Sequence, residues 1–127
     1  MSLVALLRDR YRVSASASTV SDRRFTDSVI VHVVNSGRRP LTLRVLFLVA
    51  RDGTRCEFPF SKQGPIRLME NQDHEFTLSL LDQDVHRCVA GGLMKTGLMD
   101  SRGKEWPVSG LTEIVVRNVR KLTAPIA

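Results

Sequence analysis

A chain of 127 residues, 43% hydrophobic and 25% charged, has the length and composition of one globular domain, which excludes both a disordered polyelectrolyte and a bundle of membrane helices. Its 19 basic against 13 acidic side chains leave a formal charge of +6 and a pI near 10.1, a balance that favours anionic partners and says nothing about fold. The longest apolar run, 41–50, is interrupted by Thr42 and Arg44, far short of the roughly 20 apolar residues a membrane helix needs.

At the start of the chain, Met1–Leu7 is apolar without basic residues ahead of it, a poor secretory signal, and the expected location is cytoplasmic. Tyr11, Val13, Ala15 and Ala17 alternate with Arg12, Ser14 and Ser16, the two-residue period of a strand with one buried face, predicted over 10–17. Residues 18–27 are rich in Ser, Thr, Asp and Arg and read as a loop crossing between sheets. Ser28–Val34 is dense in β-branched residues, with Val29, Val31 and Val33 facing one way and Ile30, His32 and Val34 the other. Asn35-Ser36-Gly37-Arg38-Arg39-Pro40 then turns the chain, because Asn and Gly tolerate left-handed backbone.

Leu41, Leu43, Val45, Phe47 and Val49 predict a strand over 41–50 with those five side chains on one face, and Asp52-Gly53 a tight hairpin into 55–58. Residues 66–68 are a short strand, 70–73 a polar turn, and 74–80 a strand with Phe76, Leu78 and Leu80 inward. Between 82 and 90 the period changes: Leu81, Val85 and Val89 recur every four residues, Asp82 is a candidate cap and Gly91-Gly92 a stop, which predicts a short helix. A hairpin follows, 93–99 turning through Asp100-Ser101-Arg102-Gly103 into 104–108. Leu111, Ile114, Val115, Val119 and Leu122 fall at helical spacing, with Ser109 or Thr112 as cap. The β-branched run Ile114-Val115-Val116 keeps a strand as the rival there.

Short strands at regular spacing with turn signals between them are the pattern of an antiparallel sandwich or barrel, and the expected fold is all-β, an antiparallel β-sandwich of about seven to eight strands. Val33-Val34-Asn35-Ser36-Gly37-Arg38-Arg39-Pro40-Leu41-Thr42-Leu43, followed by Arg51-Asp52-Gly53 and by the hairpin Asp100-Ser101-Arg102-Gly103-Lys104-Glu105-Trp106, resembles small immunoglobulin-like domains of uncharacterised bacterial proteins. The resemblance spans roughly 27–108. It implies an immunoglobulin-like sandwich used as a binding or structural accessory module, with no shared catalytic residues. The expected organisation is one domain over 1–127, its core about 10–108 and the segment 110–122 packed on it. The pattern departs from antibody domains, since Cys56 and Cys88 are not in the two strongest facing strands and Trp106 comes too late to be the central tryptophan.

The motifs of chemistry are missing. There is no Gly-x-Ser-x-Gly turn, phosphate loop or dinucleotide fingerprint, so no catalytic residue and no cofactor is expected, and the protein is not read as an enzyme. His74, His86, Cys56 and Cys88 lack the close ligand pairs of a structural zinc site, and Asp73, Glu75, Asp82 and Asp84 lack a calcium-loop spacing; no metal site is assigned. The two cysteines are expected as buried thiols, with a disulfide left open. Arg23, Arg24, Arg38 and Arg39 are the candidate anion- or partner-binding residues. Leu111, Val115 and Leu122 are the candidate interaction stripe if the C-terminal segment projects instead of covering the core. The expected function is a noncatalytic protein-interaction or structural accessory module that binds another protein, a second copy included, as a homodimer. The alternative is a basic nucleic-acid-associated accessory protein, against which the few aromatic residues weigh.

Overall fold

The computed structural model describes residues 11–19 and 27–123, and these form two antiparallel sheets and two helices. One sheet has three strands in the order β1-β2-β6: β1 (Val13–Thr19), β2 (Ser28–Asn35) and β6 (Asp73–Ser79). The other is ordered β4-β3-β7-β8: β3 (Leu41–Ala50), β4 (Arg55–Pro59), β7 (Leu93–Asp100) and β8 (Glu105–Trp106). β5 (Ile66–Leu68) also pairs with β3. Helix α1 (Gln83–Ala90) joins β6 to β7, and helix α2 (Leu111–Thr123) follows β8. No helix among the described residues is long and apolar enough to cross a membrane.

The β-branched register of β2 behaves as its alternation dictates. Val29, Val31 and Val33 are fully buried while Ile30, His32 and Val34 are half-buried on the other face. They join Leu41, Leu43, Leu46, Leu48 and Leu98 of the second sheet, together with Val85 and Cys88 of α1 and Leu111, Val115 and Val119 of α2, in one apolar cluster. Each such side chain contributes roughly 1.5–3 kcal/mol on burial.

Three readings of the sequence are corrected. The predicted crossing between sheets at 18–27 does not hold, because Ser18 and Thr19 belong to β1 and the strands on either side, β1 and β2, are antiparallel neighbours in one sheet from Val13↔Asn35 to Thr19↔Val29; residues 20–26 themselves lie outside the described residues. The apolar face of β3 is not continuous: the pairing with β7 slips between Leu43 and Val45, and this bulge moves Leu46, Leu48 and Ala50 to the core. Val45, Phe47 and Val49 therefore lie on the outer face, and Phe47 is buried there by other means. Leu81 is 62% exposed, since the helix begins only after Asp82, whose carboxylate accepts the Asp84 amide. The segment 111–122 is a helix, as its apolar spacing predicts, and not the rival strand. Its stripe does not project, because Leu111 and Val115 are fully buried and Leu122 packs against the core.

Two buried polar residues hold the connections. Asn35, fully buried, donates its amide to the carbonyls of Arg39 and Leu68, both at 2.9 Å, and accepts the Gly37 N–H at 3.0 Å. Its backbone pairs with Gln72 and Asn71. The asparagine of the 35–40 turn thus works through its side chain; among the described non-glycine residues only Asn71 has positive φ. Asp100 plays the matching part at the end of β7.

Candidate functional site

The β7–β8 turn is built on Asp100. Its Oδ1 accepts the backbone N–H groups of Arg102 and Lys104 at 2.9 and 3.0 Å. Its Oδ2 accepts the Arg102 guanidinium at 2.8 Å and the Trp106 indole N–H at 3.0 Å. Burial by itself would raise this carboxyl, but the hydrogen bonds from Trp106, Arg102 and Lys104 outweigh it and hold Asp100 below the usual carboxylate range. A buried anion so satisfied fixes two side chains, Arg102 over the Tyr11 ring and Trp106 against the core.

Three chain segments meet beside this turn. The Arg12 carbonyl accepts the Ser36 and Gly37 N–H groups, and the Thr42 carbonyl accepts that of Ser101, which fastens 11–12, 36–40 and 101–104 together. The guanidinium of Arg102 lies 3.5 Å from the Tyr11 ring centroid and that of Arg39 5.7 Å from it. Arg38 is exposed on the same connection as Arg39. Of the arginines singled out by sequence, then, Arg38 and Arg39 sit at this basic end, whereas Arg23 and Arg24 lie outside the described residues. Arg102 and Tyr11 were not foreseen as site residues. Arg102 reads locally as a turn residue, and only pairing between distant segments brings it to Arg39.

On the neighbouring face a groove of about 510 Å³ is lined in part by Phe47, Lys95, Thr96, Glu105 and Trp106. Phe47, displaced outward by the bulge, is covered by Arg55 and Lys95, whose charged ends lie 5.1 and 5.7 Å from its ring centroid. Lys95 is paired with Glu105 at 2.6 Å, and Lys104 stands 4.3 Å from the Trp106 ring centroid.

The remaining titratable groups are dispersed. His32 bonds Asp73 at 2.9 Å on the exposed face of the three-stranded sheet, and that hydrogen bond lowers the Asp73 carboxyl. His74 packs edge-on to Phe60, and His86 lies 2.6 Å from the Leu80 carbonyl oxygen. Asp82 caps α1 and Asp84 pairs with Arg87. Among the described residues no three His, Cys, Asp or Glu side chains are grouped as metal ligands. Cys56 and Cys88 do meet, sulfur to sulfur at 2.9 Å.

No protein-family model matches the chain, and no curated protein does. A chain in the X-ray structure of Northeast Structural Genomics Consortium target SoR45 is similar over 83% of this chain and 92% of its own length, at 14% identity and a TM-score of 0.34. A likeness that weak carries no argument.

Proposed function

We propose that this protein is a noncatalytic, immunoglobulin-like β-sandwich module that binds an acidic protein surface through its basic end. The strand orders β1-β2-β6 and β4-β3-β7-β8 support the fold reading. On this reading β1-β2-β6 correspond to strands A-B-E and β4-β3-β7-β8 to C′-C-F-G, with α1 in the E–F connection. The binding reading rests on one observation: two loops far apart in sequence bring Arg39 and Arg102 onto the same Tyr11 ring. Guanidinium groups ordered in this way lose less side-chain entropy on meeting carboxylates than freely moving ones. The +6 charge adds long-range attraction. Self-association is part of the same proposal, since β4 and β6 each end a sheet and offer an edge to a second copy.

Titration of the full chain with an acidic peptide and with single-stranded RNA, at low and moderate salt, tests this. The expected result is tighter binding of the acidic peptide, weakened at least tenfold in the double variant Arg38→Glu, Arg102→Glu. Preferential binding of RNA with a steep salt dependence would replace the proposal with the nucleic-acid reading. Light scattering on the same samples reads the dimer.

A further inference from the structure

Cys56 on the edge strand β4 and Cys88 in α1 are 32 positions apart, yet their sulfurs lie 2.9 Å from one another. That is inside the van der Waals separation of two unbonded sulfurs and longer than the S–S bond of about 2.05 Å. No other cysteine exists in the chain to compete. We propose that Cys56 and Cys88 are a disulfide-forming pair, oxidised by a low-molecular-weight disulfide such as oxidised glutathione, whose bond staples β4 to α1.

The step balances as two successive exchanges. Cys56 is 8% exposed and Cys88 fully buried, so Cys56 is the sulfur that the reagent meets first. Its thiolate attacks one glutathione sulfur, the glutathione S–S bond breaks, and one glutathione thiolate leaves. The Cys88 thiolate then attacks the Cys56 sulfur of the mixed disulfide and expels the second glutathione. Two protein thiols give up two electrons and two protons, and one glutathione disulfide takes them up as two thiols. Burial, reinforced by the hydrogen bond with Cys56, pushes the Cys88 thiol up to about 12, which makes ring closure slow and faster at high pH. The closed loop contains β5 and β6, so the bond links the five-stranded sheet to the helix that follows the three-stranded one.

Because only two thiols are present, the mass of the intact chain reports one reaction. The full protein is equilibrated in mixtures of reduced and oxidised glutathione, once folded and once in concentrated guanidinium chloride, then acid-quenched and weighed. The species lighter by two hydrogens is expected to form with an equilibrium constant at least about a hundredfold larger in the folded protein, because folding has already closed the loop. The oxidised form is expected to melt above the dithiothreitol-reduced form. A ratio of one or less, or glutathione adducts that never close, overturns the proposal. The variant that lacks both thiols, Cys56→Ala with Cys88→Ala, is expected to melt at the same temperature in both buffers; a redox-dependent midpoint in that variant would overturn it as well.

Discussion

The indole N–H of Trp106 donates to the carboxylate of Asp100 at 3.0 Å, so the only tryptophan of the chain reports on the only fully buried carboxylate among the described residues. The same carboxylate accepts three donors from Arg102 and Lys104. Asp100→Asn removes the charge and leaves one acceptor oxygen for this set, which is expected to cost about 2–4 kcal/mol in denaturant unfolding. The pH dependence has a definite sign. The folded-state value of Asp100 lies below the ordinary aspartate value of 3.8, so its contribution is fully present above that value and is lost as pH falls through the folded value. Wild-type stability and Trp106 emission are therefore expected to change together below about pH 4. An Asp100→Asn protein with the same acid profile as wild type would refute this.

Gly97 lies where β3, β7 and the end of β8 converge. A Cβ there would stand 2.7 Å from the Trp106 carbonyl oxygen and 2.8 Å from Phe47 Cζ. Phe47 is held between the charged ends of Arg55 and Lys95, 5.1 and 5.7 Å from its ring centroid, and cannot move without disturbing them. Gly97→Ala is expected to destabilise by about 1–3 kcal/mol through overpacking, with a shift of Trp106 emission that a purely local backbone effect would not produce.

Asn35→Ala deletes two amide donations and one acceptance in a fully buried site and leaves the Arg39 and Leu68 carbonyls without that donor. The expected cost is about 2–3 kcal/mol. Because the Arg39 carbonyl is one of these partners, binding of an acidic peptide is expected to weaken in the same variant, even where it remains fully folded by circular dichroism.

Leu111→Ala is expected to cost about 2–5 kcal/mol, since Leu111 is fully buried at the start of α2. Leu81→Ala, at an exposed leucine, is expected within about 0.5 kcal/mol of wild type. Equal effects in urea titrations would contradict the packing of the C-terminal helix on the core.

The alternation of β2, the Asp-Gly turn after β3, the short strand 66–68, the Asp82 cap and the helical spacing from Leu111 to Leu122 all depend on residues within a turn or two of one another. They were legible in the sequence for that reason. What short-range pattern cannot carry is a change of phase or a meeting of distant segments. The bulge after Leu43 turned Phe47 outward because it is set by pairing with β7, not by the composition of β3. Helix rather than strand over 111–123 was decided by the apolar space that α2 fills against β1, β2 and β7, which outweighs the β-branched preference of Ile114, Val115 and Val116. Arg38 and Arg39 were visible as charges, but Arg102 and Tyr11 joined them only through tertiary pairing. Cys56 and Cys88, 32 positions apart and in different kinds of element, became neighbours in the same way. The sequence by itself determined a mostly β chain with its turns, caps and charge; the tertiary structure alone decided which side chains share a site, because contact across sheets depends on register and packing that no local window contains.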